Sequence, residues 1–152
     1  QSAIEAASVA AERAGFIVHM DNSCDDWEYT KAADYLLGKV RELRKQFSPV
    51  CLISGGEVTV KVTDAGVGGR NQQFALACAE KIAGEKITVL SAGTDGVDGN
   101  SPAAGAIADG EQSVAALGRE TVAAAARVAG VQSNGKCRRA VGTHPACKRF
   151  RG

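Results

Sequence analysis

No stretch of this 152-residue chain reaches the roughly 18 consecutive apolar residues that a membrane-spanning helix needs. Its first residues carry neither a secretory signal nor an initiator Met, which reads as a fragment or a processed chain. The five cysteines, Cys24, Cys51, Cys78, Cys137 and Cys147, are odd in number and widely spaced. That excludes a disulfide scaffold and points to a reducing, cytoplasmic setting. Cys51 and Cys78 sit in apolar contexts, where a free thiol behaves as a small hydrophobe. Cys137, His144 and Cys147 match no common zinc spacing. Aromatic residues make up only 5% of the chain, and Trp27 and Tyr29 read as helix packing rather than a stacking platform. Residues 131–152 contain six basic side chains and no acid, which leaves the first 130 residues at −5. Nucleic-acid binding would therefore rest on the tail alone and is not expected.

What is present is ordinary globular material, 45% hydrophobic and 23% charged, and it excludes disorder throughout. A domain of this length buries roughly 68–70% of its unfolded surface, enough for a core without staples. Residues 2–14 are Ala-rich and stop at Gly15, which predicts a helix. Residues 16–20 read as a short strand. Tyr29, Ala33, Leu36, Val40, Leu43 and Phe47 recur every three or four residues, which predicts an amphipathic helix capped by Asp25 or Asp26. It ends at Ser48-Pro49. Residues 50–53 form a continuous apolar run, expected as a buried strand.

Val58, Val60 and Val62 alternate with Thr59, Lys61 and Thr63, which predicts a second strand paired antiparallel to the first across a short connection. A glycine-rich loop follows, from Asp64 to Arg70. A helix capped by Asn71 then runs to about Ala83, with Phe74, Cys78 and Ile82 as its stripe. Residues 87–90 read as a buried strand, 92–104 as a second glycine-rich loop, 106–108 as a strand or helix start, and 111–129 as Ala-rich helix. The fold class expected is α/β, a three-layer sandwich with a mixed central sheet flanked by helices. Residues 1–130 would form the domain, with 1–48 leading and 49–130 bearing the motifs, and 131–152 a basic tail.

Two loops could carry chemistry, because ligand crevices in open α/β sheets lie at the carboxyl ends of strands. In the first, Gly66 to Gln72, glycines admit a close ligand, the helix start offers N–H groups to an anion, and Arg70 adds a donor fork. It is neither a Walker nor a dinucleotide sequence. In the second, Ser91 to Gly99, Asp95 and Asp98 with Thr94 suit Mg²⁺ or simply an Asp-Gly turn. Ser54-Gly55-Gly56-Glu57 is a third candidate, with Glu57 as ligand, base or plain strand residue. His19 and His144 have no partner in a triad arrangement.

Three segments in order, Leu52 to Val60, Gly68 to Leu76 and Leu90 to Gly99, together resemble the C-terminal, so-called MOFRL domain of class II glycerate 2-kinases. Ala103 to Ile107 and Asp109-Gly110 continue the likeness. It implies transfer of phosphate from ATP, with Mg²⁺, to the 2-hydroxyl of D-glycerate, in a cleft shared with an N-terminal domain that this chain does not contain. By that likeness Arg70 and Glu57 would be catalytic. Gly55, Gly56, Gly68, Gly69, Asn71, Gln72 and Thr94 would bind substrate or phosphate, and Asp95 and Asp98 the metal. The chain alone would be inactive, or serve as a stand-alone binding module. Surfaces left by the missing half would favour a homo-oligomer or a partner that supplies it. Residues 131–152 show neither closing motif of the family and are expected to be disordered or loosely docked.

Overall fold

The computed structural model describes residues 2–61 and 66–117, the last six of these by their backbone alone. The helix expected over 118–129, the tail, Cys137, His144 and Cys147 lie outside the described residues, as do Val62 and Thr63. Helix α1, Ala3–Arg13, opens with a capping box in which Ser2 and Glu5 satisfy one another's backbone N–H. Strand β1, Ile17–Met20, follows, then α2, Tyr29–Arg44, and β2, Val50–Ile53. The remaining elements are α3, Arg70–Ile82; β3, Thr88–Ala92; β4, Gly105–Asp109; and β5, Gln112–Leu117.

The class is α/β, but among the described residues there is no single mixed sheet. Strands β1 and β2 form a parallel pair in the register Ile17 to Val50 through Met20 to Ile53. Strands β3, β4 and β5 form a separate antiparallel sheet in that order. Over 58–61, the described part of the strand predicted for 58–63, there is one isolated parallel bridge, Glu28 to Thr59, and no ladder. Val58 packs on the core from irregular backbone, so the alternation marks one buried side without a ladder. The helix expected from residue 111 begins as strand instead. Residues 112–117 return along β4 after a two-residue turn, and backbone pairing outweighs the helix preference of Ala115 and Ala116. Strand β3 lies at an edge among the described residues, with Leu90 half exposed, so it is not the fully buried strand expected.

The core fits a chain poor in aromatics. Ala32, Ala33 and Leu37 of α2 and Phe74, Cys78 and Ile82 of α3 are buried together with Cys24, Ile87 and Ala108. Small residues let the two helices approach closely. Arg41 of α2 grips Glu85 at 2.5 and 3.2 Å and the Lys81 carbonyl at 2.9 Å, and Lys81 pairs with Asp34. Helix α3 thus joins α2 and the parallel pair to the antiparallel sheet.

Candidate functional site

The parallel pair is prolonged past its strand ends by a zipper of loop backbone. Asp21 N–H donates to the Ile53 carbonyl at 2.9 Å, Gly55 N–H to Asn22 Oδ1 at 2.8 Å, and Glu57 N–H to Asp25 Oδ1 at 2.8 Å. Asp26 N–H then donates to the Glu57 carbonyl at 2.9 Å. Gly56 takes φ +100°, and a Cβ there would lie 2.7 Å from the Asp25 carboxylate, so this turn requires glycine. Neither Asp25 nor Asp26 caps α2. That task falls to Glu28, whose carboxylate accepts from the N–H groups of Thr30 and Lys31. Asn22, and Asp25 in place of its expected capping role, fix the position of Glu57.

Below the zipper, Asp21 is a buried node. It accepts from Ser23 N–H and hydroxyl at 2.9 and 2.5 Å and from Tyr35 OH at 3.0 Å, and it pairs with Lys39. The Lys39 ammonium first, then the Ser23 donors, hold its carboxyl well below the usual carboxylate range against the cost of burial. Lys39 is raised in return, chiefly by that bond.

Across from Glu57 the two glycine-rich loops meet. Gly68 N–H donates to Asn100 Oδ1 at 2.9 Å, and Asn100 Nδ2 returns a bond to the Gly66 carbonyl at 3.0 Å. Helix α3 starts after Gly69, which provides no side-chain cap. The cap comes from the other loop. Asp98 Oδ1 accepts from Asn71 N–H at 3.0 Å and from Asn71 Nδ2 at 3.1 Å, and Asp98 Oδ2 from Gln72 N–H at 2.9 Å. The Asp98 residue is only 2% exposed. The backbones are so close that a Cβ on Gly69 would strike Asp98, and one on Gly99, at φ +60°, would strike the Gly68 carbonyl.

This geometry reassigns several expected site residues. Asp98, expected as a metal ligand, spends both oxygens on the start of α3. Asn71, expected as a cap and a substrate ligand, spends its side chain on Asp98 and on Ser91, whose hydroxyl donates to Asn71 Oδ1 at 2.8 Å. The helix N–H groups expected to greet a phosphate already have an internal anion. Asp95 and Thr94 are exposed on the neighbouring turn, where Asp95 Oδ1 accepts from Val97 N–H at 3.2 Å. No cluster of three acidic, His or Cys side chains suited to a metal occurs among the described residues.

What the loops do bring together is Arg70 and Glu57. The guanidinium Nη1 of Arg70, the first residue of α3, pairs with Glu57 Oε1 from the zipper. Both side chains are about half exposed, at 46% and 61%, so a solute can reach the fork. The buried Nε2 of Gln72 has no hydrogen-bond acceptor among the described residues, and its Oε1 lies near Gly68. A reachable guanidinium suits one anionic group, a carboxylate or phosphate.

A sequence model of the MOFRL family matches residues 50–145. Among curated proteins, the D-glycerate 2-kinase of Thermotoga maritima is 40% identical over 111 residues, covering 70% of this chain and 26% of the relative. The glycerate 2-kinase of Pyrococcus horikoshii is 34% identical over the same length, covering 70% and 25%. The glycerate kinase of Danio rerio is 38% identical over 91 residues, covering 57% and 18%. A crystal structure of Thermotoga maritima glycerate kinase superposes with a TM-score of 0.60 at 38% identity, over 66% of this chain and 25% of that one. The chain thus spans about a quarter, or less, of the length of these relatives.

Proposed function

Because the chain belongs to the MOFRL family, we propose that it is the anion-holding half of a glycerate 2-kinase cleft. Its part is to anchor a carboxylate or phosphate on Arg70. The observation that supports this is the Arg70–Glu57 pair, held across two separately braced loops with its guanidinium open to solvent. In this reading Arg70 is the catalytic residue of the chain. It orients the anionic end of D-glycerate, or the phosphoryl group in transfer, and offsets its charge. Glu57 holds the fork in place until the anion arrives. ATP, when bound to the complete cleft, supplies the phosphoryl group. Mg²⁺, if it takes part, would need ligands from beyond the described residues, which hold no group of three acidic, His or Cys side chains. One wall of a cleft cannot align donor and acceptor, so the chain binds without turning over.

Two measurements test this. Calorimetric titration with D-glycerate and with inorganic phosphate should show weak, salt-sensitive binding that Arg70→Ala abolishes. A coupled assay with ATP, Mg²⁺ and D-glycerate should show no phosphorylation above a heat-killed control. Binding indifferent to Arg70 would overturn the anion-holding role, and measurable turnover would overturn the incapacity of the isolated chain.

A further inference from the structure

A glycine-rich turn leading into a helix ordinarily presents its first N–H groups to an anionic ligand. Here two of them, Asn71 N–H and Gln72 N–H, are taken one to each oxygen of a single carboxylate, that of Asp98, which belongs to the opposite loop. The Asn71 side-chain amide adds a third donor at 3.1 Å. The carboxylate is almost wholly out of solvent. Gly69 and Gly99 lie so close to Asp98 and Gly68 that neither could carry a Cβ without a shift. These two N–H groups therefore already face a carboxylate before any solute anion arrives.

We propose that Asp98 is a positioning residue, a built-in anion that locks the first turn of α3 to the second glycine-rich loop and so aims Arg70 at the rim it shares with Glu57. It does a second thing by the same contacts. It closes the helix terminus to solute anions, so that an incoming carboxylate or phosphate meets the guanidinium and not the backbone. This inference rests on the reading of Arg70 as the anion anchor. The carboxylate itself touches no substrate.

The test uses the whole chain in three forms, the unaltered protein, Asp98→Ala and Asp98→Asn, titrated with formate and with inorganic phosphate. The readouts are melting temperature and the NMR signals of the Asn71 and Gln72 amides and of Arg70 Nε. In the unaltered chain the two amides should stay still while Arg70 Nε moves with phosphate. Asp98→Ala should melt several degrees lower, and formate should recover part of that loss while shifting both amides saturably, because a small anion refills the vacated place. Asp98→Asn keeps one acceptor but loses the charge. It should stay folded by circular dichroism, exchange its Asn71 and Gln72 amide protons faster than the Cys78 amide in mid-helix, and show a weakened Arg70 Nε response.

Two results would overturn the proposal: amides in the unaltered chain that titrate with phosphate as those of Asp98→Ala do, or an Asp98→Asn chain whose Arg70 response and amide exchange match the unaltered one. If Asp98→Ala does not fold, the Asp98→Asn comparison decides. If the amides behave as expected but Arg70 Nε is silent to phosphate in every form, the role of Arg70 as anchor fails and the aiming function fails with it. The internal cap would then remain as architecture.

Discussion

Single buried carboxylates do much of the positioning here, and Asp21 shows how pH reaches the fold. Its folded carboxyl is held low by Lys39 and the Ser23 donors, so as pH falls the unfolded chain takes up the proton first. The stability it contributes is complete above the ordinary carboxylate value of about 4 and is lost progressively below it. Asp21→Asn should flatten this acid limb in urea midpoints measured from pH 6 down to pH 3. At neutral pH the same change should cost about 2 kcal/mol, the scale of hydrogen bonds to a charged group. The partly exposed Lys39 can rehydrate, which keeps the cost below that of stranding a fully buried charge. An acid limb unchanged in Asp21→Asn would refute the assignment. Nothing in the sequence marks Asp21, since its partners Lys39 and Tyr35 come from a helix more than a dozen residues away. Cysteine was easier to read. Burial pushes the Cys78 thiol up to about 12, in keeping with a structural, unreactive residue.

At the scale of elements, local periodicity told most of the story where one helix face is buried. Phe74, Cys78 and Ile82 were read as a stripe and are all buried. Ile82→Ala should therefore cost about 3 kcal/mol by leaving a cavity between α2, α3 and the sheet, visible as a lowered urea midpoint with an unchanged slope. A loss under half of that would mean the site collapses freely. Legibility ended where pairing is non-local. Strand β5 looks like helix because Ala115 and Ala116 favour helix locally, and only their register with Ile107 and Ala106 shows otherwise. The alternation over 58–63 promised a ladder, but among its described residues, 58–61, the bridge to Glu28 is what forms. The candidate site divides in the same way. Arg70 and Glu57 were singled out by residue type in their loops. The cap on α3 was not, because Asp98 lies 26 and 27 residues from the groups it satisfies. Proximity in the chain had suggested Asn71 instead.

For the molecule as a whole, the apolar groups left in solvent matter most. Leu90 on the edge strand β3 is 53% exposed, and an edge offers unpaired backbone to another chain. Met20 and Val67 are also exposed. We propose that the chain on its own associates with itself through this edge. Light scattering over a hundredfold range of concentration should show mass rising with concentration, and Leu90→Lys should suppress the rise. A strict monomer throughout would refute it. Among the described residues no helix is long and apolar enough to cross a membrane.

The locked loops also constrain how this sequence can drift. A Cβ at position 69 would strike the Asp98 backbone and carboxylate, and one at position 99 would strike the Gly68 carbonyl, while a shorter residue at 98 strips α3 of its cap. Because these three positions share one close approach of two backbones, the effects of changes at 69, 98 and 99 are expected to be non-additive.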